Sequence, residues 1–313
     1  MINITNKRDR NRFQIEMTRN MLILEEMQAK EFRLALNKQY SDVAKFIDQG
    51  LLFDIDVAVN KTRARLVATL GKQYRRTATI FNKKVTDVIK EVKLAIPLEA
   101  KTPKDEFWRT MNSWNRVQAG AKITKIQKTT RENIQRAIRK GIAEGESHRQ
   151  IAKRIRNTGK ITNGIRARTI AITETHTAAV KSVDAAIAST RIEMEREWVA
   201  TLDERVRDSH ADADGQRTTQ DGEFVVNGEG LKYPGDPSGS AENIINCRCV
   251  VIYHTLNELD EIPPAVPANS PKQYEGTVKG ISGNTPLCDY VGLPTRKTSC
   301  LDFIMRSDKR ISG

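Results

Sequence analysis

Apolar residues recur at helical steps through most of the first 190 positions and at strand steps only beyond residue 197. Between residues 10 and 48, Phe13, Met17, Met21, Leu24, Met27, Leu34 and Phe46 follow three- and four-residue steps, and Gln49-Gly50 supplies a stop. A second helix is expected from about Ile55 to Leu94, broken by Pro97 and Pro103. Helix resumes near Lys104 and continues to about Ala143, where Glu144-Gly145 suits a left-handed cap. Ser147-His148-Arg149-Gln150 has the form of a capping box, with Ile151 and Ile155 on the buried side of a short helix ending before Gly159. From about Thr162 a long helix carries Ile165, Thr169, Ile172, His176, Val180, Val183 and Ile187 on one stripe.

The period changes at Glu197. Residues 198–202, 223–226 and 249–253 read as strands, separated by the turn formers Asp214-Gly215, Asp221-Gly222 and Tyr233-Pro234-Gly235-Asp236-Pro237. Asp203 is placed to cap a short helix running to about Ala211, and another fits Ala241–Ile245. Residues 255–313 are rich in Pro, Gly and Ser with weak periodicity. The pattern predicts an α+β protein in four parts. These are a helical arm (1–110), a basic helical part (111–195), a small α+β module with a short antiparallel sheet (196–254), and a tail, irregular or ordered by a partner (255–313).

Charge sharpens this division. Residues 1–197 hold 40 Lys and Arg against 22 Asp and Glu, while 198–254 hold 5 against 10. A basic helical region joined to an acidic module points to a polyanion partner for the former. No run of about 18 apolar residues exists, so no membrane-spanning helix is expected. The opening MINITNKRDRNRF has charges without a following apolar run, so no secretory signal is expected. Four unevenly spaced cysteines do not form a disulfide framework.

Three groups of residues are candidates for chemistry. Cys247 and Cys249 at i and i+2 of an extended segment present both sulfurs on one side. They are either two thiols packed in a core, with Arg248 pointing outward, or part of a zinc site, with His210 and His254 as the nearest further ligands in sequence and His176 as another on the long helix. The place of His176 on an apolar stripe favours a packed core histidine. A second group is the polar run Asp203, Arg205, Arg207, Asp208, His210, Asp212 and Asp214. Its sharp reading is a divalent-metal phosphodiesterase using Asp203, His210 and the cysteines. Its plainer reading is a structural polar network of Asp203, Arg207, Asp214 and the turn residue Asp236, in which Arg207 pairs with Asp203 or another acid. No two-metal spacing supports the enzyme, and Trp198 and Tyr233 are expected as apolar anchors.

The third group is basic: residues 116–168 carry 15 Lys and Arg against 3 acids. Lys122, Lys125, Lys128, Arg131, Arg136, Arg139, Lys140, Lys153, Arg154 and Arg156 are candidates for contact with DNA phosphates or with an acidic protein surface. Few aromatic residues interleave them, which disfavours single-strand stacking. No Gly-rich phosphate loop and no nucleophile turn occurs.

The blocks Arg168-Thr169-Ile170-Ala171-Ile172-Thr173-Glu174-Thr175-His176, Trp198–His210, Tyr233–Ser238 and Ile245–Cys249, taken in this order with an Asp-Gly pair, resemble the Mu F-like head-morphogenesis family over about residues 120–254. The resemblance implies a minor head protein of a tailed bacteriophage, assembled in the bacterial host cytoplasm and located inside the capsid or at the portal vertex. It implies the portal and other capsid proteins as partners, with packaged double-stranded DNA as a further contact. It implies no enzymatic activity, no required cofactor, no small-molecule substrate and no membrane.

Overall fold

The computed structural model describes residues 7–50, 55–91, 103–201 and 203–255. They fall within one compact unit, Met1–Ala265, and a second unit, Val266–Gly313, lies outside the described residues with the expected irregular tail. Helices α1 (Lys7–Asp48), α2 (Ile55–Lys61), α3 (Arg63–Glu91), α4 (Pro103–Ala143) and α5 (His148–Ala188) are followed by the strand β1 (Met194–Val199). Then come α6 (Asp208–Asp212), β2 (Arg217–Thr218), β3 (Phe224–Val226), β4 (Glu229–Leu231), α7 (Ala241–Ile244) and β5 (Val250–Thr255). The expected α+β class holds. No described helix is long and apolar enough to cross a membrane.

The start and stop signals act as their chemistry requires. The capping box at Ser147 and Gln150 forms, with both backbone donors satisfied by the opposite side chain. Gly50 and Gly145 take φ of +78° and +69°, the left-handed conformation that ends a helix without a Cβ clash. Pro103 occupies the first position of α4, where its missing N–H is not needed.

The reading of Gly159 as a helix end is corrected. Helix α5 runs unbroken for 41 residues, about 60 Å at 1.5 Å per residue. Gly159 is buried inside it because α1 passes close: a Cβ there would sit 2.7 Å from Cγ and 2.9 Å from Cβ of Tyr40. The expected stripe is buried at His176, Val180, Val183 and Ile187 but not at its start. Ile165 is 77% exposed, as is Ile161, and small residues such as Ala167 and Ala171 face the neighbouring helices. Similarly Leu34 of α1 points to solvent while Phe32 and Leu36 are buried.

Helices α1, α3 and α4 pack along α5. Met17, Met21 and Leu24 of α1, Phe81 of α3 and Phe107 and Met111 of α4 share one apolar cluster with the end of α5 and the strands. Met17, Met21 and Leu24 of the α1 stripe are therefore covered within this chain. Buried polar contacts fix the register between helices: Gln39 Nε2 donates to Thr62 Oγ1 at 2.8 Å, and Gln127 Nε2 donates to Val59 O at 3.0 Å.

The sheet has the order β2-β1-β5, antiparallel throughout, with Trp198 opposite Val251 and Val199 opposite Val250. Strand β1 begins four residues before the expected position, since Arg196 and Glu197 are buried with partners despite their charge. The hairpin β3–β4 turns at Asn227-Gly228, whose φ values of +51° and +75° fit the primed turn favoured between twisted strands.

Candidate functional site

The α+β segment closes on one turn of α5. Thr173, Glu174, Thr175, His176 and Thr177 are all buried, an unusual run of polar side chains for a helix interior. Each reaches a different element. Thr173 Oγ1 accepts from Asn246 N at 3.2 Å, and Thr177 Oγ1 donates to Gly235 O at 3.0 Å. Thr175 contacts Gln28 of α1. Glu174 accepts from Tyr74 of α3 at 2.5 Å and pairs with Lys122 of α4 at 3.2 Å. Burial and the Glu174 carboxylate hold the Tyr74 phenol well above its ordinary pKa, so it remains a donor.

His176 belongs to this set and not to a ligand cluster. Its Nε2 donates to Cys249 O at 2.7 Å, and Gly235, at φ +78°, approaches its Nδ1 so closely that a Cβ would lie 2.7 Å away. Burial lowers its pKa to about 4, against the opposing pull of that hydrogen bond, and the ring is neutral.

Beneath it lie the two cysteines and His210. Residue Asn246, in the left-handed region at φ +56°, turns the chain after α7 and delivers Cys247 and Cys249 to the interior just before β5. Helix α6 buries His210, packed edge-on against Trp198 with ring centroids 5.7 Å apart. His210 Nδ1 stands 3.4 Å from Cys249 Sγ and 3.7 Å from Cys247 Sγ. Among the described residues this is the group whose ligand atoms gather closely enough for a metal, all within 4.8 Å. Burial pushes the Cys247 thiol up. Burial opposes ionisation of Cys249 too, but hydrogen bonds from Cys247 and His210 outweigh it and bring Cys249 down to about 5.

Arg248, expected to point outward, instead crosses to α1 and forms a two-pronged ion pair with Glu25, Nη2 to Oε2 at 2.9 Å. Alternation along the strand puts Arg248 opposite the cysteines, and α1 lies on that side. The hydrogen bonds of Asp203, Arg207, Asp214 and Asp236 run to separate loops. Asp203 does not cap α6: its Oδ1 accepts from Arg205 N at 3.0 Å within a turn, and α6 starts five residues later. Arg207 turns away from Asp203 and donates to Ile245 O at 2.5 Å. Asp214 accepts from Ala200 N at 2.9 Å, and Asp236 from Lys232 N and Ser238 N, both at 3.0 Å.

Residues 132–252 match the family described as Phage Mu protein F like protein. The similarity lies in that segment. The chain is 33% identical over 134 residues to minor head protein GP7 of Bacillus phage SPP1, covering 42% of each chain. It is 28% identical over 163 residues to an NAD(+)–arginine ADP-ribosyltransferase of Enterococcus faecalis, covering 49% of this chain and 32% of that one. An uncharacterized protein of Haemophilus influenzae is 31% identical over 134 residues, 42% of this chain and 26% of the other. The chain spans less than half the length of the curated relatives it matches. No solved structure matches it.

Within the matched segment, the motif around Thr173–His176 is accounted for by the loops and helices it grips. One residue that sequence reasoning passed over is Arg196. Only 2% exposed, its guanidinium donates to Thr219 O at 3.1 Å, Lys232 O at 2.7 Å and Gly222 O at 2.5 Å, and pairs with Asp184 at 3.6 Å. His254 and Arg217 meet Glu197 at 2.7 Å and 3.4 Å in the same sheet.

The basic candidates divide into two sets. Lys122 is tied to Glu174, Arg131 to Asp56 at 2.5 Å, Lys140 to Glu144 at 3.8 Å, and Arg154 to Glu144 and Glu146. Arg156 is half-buried on α5. Lys125, Lys128, Arg136, Arg139 and Lys153 are exposed, and no ion pair holds them among the described residues. Lys125, Lys128 and Arg136 share one solvent face of α4.

Proposed function

We propose that this is a structural minor head protein of a tailed phage, which docks on the portal or an adjoining capsid protein during head assembly. The match of residues 132–252 carries this reading, and SPP1 GP7, named as a minor head protein, supports it. The use of the module's polar motifs supports a structural role: Thr173, Glu174, His176 and Thr177 are consumed in holding loops and helices together. The protein works without turnover, as a rigid part of the virion, and is incorporated in the host cytoplasm.

The exposed cations of α4 and Lys153 supply its electrostatic face, toward an acidic capsid or portal surface and toward packaged double-stranded DNA. Such contacts to phosphate carry no base information. Co-expression with the portal protein of the same phage tests the docking: co-purification after nuclease treatment is expected. Heads assembled normally with this protein absent from every fraction would refute the reading. Charge reversal at Lys125, Lys128 and Arg136 is expected to weaken incorporation while leaving the fold intact.

A further inference from the structure

We propose that His210 Nδ1, Cys247 Sγ and Cys249 Sγ bind one zinc ion, with a water in the fourth position, as a structural centre that ties α6 to the approach of β5. The geometry points to it first. Zinc–sulfur and zinc–nitrogen bonds of about 2.3 and 2.0 Å at a tetrahedral angle set a sulfur–nitrogen edge of about 3.5 Å. The two edges here are 3.4 and 3.7 Å. Two thiols and an imidazole nitrogen from chain segments nearly 40 residues apart thus converge within 4.8 Å of one another, with both sulfur–nitrogen edges near the length a zinc tetrahedron requires.

Charge agrees with this assignment. All three side chains are buried, and an isolated ion there would carry a heavy desolvation cost. Two thiolates neutralise Zn²⁺, so a site of two sulfurs, one neutral imidazole and one water has no net charge. Each thiol loses its proton to solvent as the metal enters, and no oxidation state changes. The donor set also selects the ion: soft thiolates disfavour magnesium and calcium, which require oxygen ligands. Thr201 Oγ1, 4.0 Å from Cys249 Sγ, stands beside the site on the chain leaving β1. His176 takes no part: its Nε2 donates to the Cys249 carbonyl and its Nδ1 faces Gly235, away from the three gathered ligand atoms.

The test uses the full chain, purified without added metal and then loaded with Zn²⁺ or Co²⁺. One equivalent of zinc is expected by elemental analysis, and the cobalt form should show the intense thiolate charge-transfer and d–d bands of tetrahedral coordination. Cys249→Ser and His210→Ala are expected to lose at least tenfold in zinc affinity, while His176→Gln retains the metal. Should the ligand variants fail to fold, the wild-type protein still decides the question. A zinc content below a tenth of an equivalent after loading, with both thiols freely titratable and no cobalt–thiolate bands, overturns the proposal. Equal zinc retention by Cys249→Ser overturns it as well.

Discussion

Gly159 and Gly164 lie five residues apart on the same helix and should respond in opposite directions to the same substitution. Alanine at either position gains about 1 kcal/mol in helix propensity and lost unfolded-chain freedom. At Gly164 nothing lies within 4 Å of the added methyl, so the gain is expected in full. At Gly159 the methyl would meet Tyr40 Cγ at 2.7 Å, Cβ at 2.9 Å and Cδ1 at 3.0 Å. Those atoms are the root of the tyrosine, not a movable tip, and Tyr40 is 1% exposed with its hydroxyl held by Asn133 at 3.3 Å. Relief therefore requires α1 and α5 to separate, and overpacking of this kind costs about 1–3 kcal/mol. The net expectation for Gly159→Ala is a loss of up to about 2 kcal/mol, against a gain approaching 1 kcal/mol for Gly164→Ala. Urea unfolding with a shared slope would measure both. Tyr40→Ala should cost several kcal/mol alone, yet render Gly159→Ala neutral or stabilising in its presence. If Gly159→Ala raises stability as much as Gly164→Ala, the close approach of the two helices is refuted.

Three further substitutions probe the joints between elements. Glu25→Gln leaves the Arg248 guanidinium without its counter-charge; since Arg248 is 20% exposed, about 2–3 kcal/mol is expected in denaturant unfolding, with strong coupling to Arg248→Met in a double-mutant cycle. Arg196→Lys cannot serve the three carbonyls of Thr219, Gly222 and Lys232 together, and a loss of about 2–4 kcal/mol is expected, visible as faster amide exchange in residues 217–233. Gly235→Ala combines a φ of +78° with a clash on His176 Nδ1 and should cost about 2–4 kcal/mol, whereas Gly145→Ala, with a similar φ and open space, should cost about 1 kcal/mol in the same thermal or urea assay.

Much of the helical framework was legible because it rests on local chemistry. The capping box at Ser147, the glycine caps and the apolar spacing of Met17, Met21 and Leu24 act over a single turn, where sequence distance and spatial distance agree. Gly159, the start of β1 and Arg248 are misread because each depends on a distant partner. Gly159 carries the same local signal whether it ends a helix or admits a neighbour, and only Tyr40, on another helix, distinguishes the two. Strand β1 was shortened for the same reason: Arg196 and Glu197 read as solvent-facing until the carbonyls of residues 219–232 and His254 are brought beside them. At the cysteines, the side-by-side sulfurs followed from strand alternation and the approach of His210 was an open alternative. That Arg248 meets Glu25 could not be read, since 223 residues separate them. The Asn227-Gly228 turn carries a local hairpin signal that extends the expected strand 223–226 into the β3–β4 pair.

The charge asymmetry changes meaning once these partners are known. Of the basic residues between 116 and 168, several spend their charge internally: Lys122 on Glu174, Arg131 on Asp56, and Arg154 on Glu144 and Glu146. Such pairs add little to the field felt by a partner, and breaking them to meet a phosphate would forfeit what they hold. Among the ten candidates, the cations free to act are the exposed set of Lys125, Lys128, Arg136, Arg139 and Lys153. If these alone met duplex phosphates, the logarithm of affinity should fall against the logarithm of salt with a slope of about 4–5, since each neutralised phosphate contributes about 0.9. Arg116, Arg149, Lys160 and Arg168 are exposed as well and would raise the slope to about 8, so a slope well above about 10 would mean that the paired cations are released on binding, and the ion pairs would then be poised contacts instead of structural ones. Lys125→Ala and Arg136→Ala together should lower the slope by about 2, whereas Lys122→Ala should leave the slope unchanged and reduce stability through Glu174.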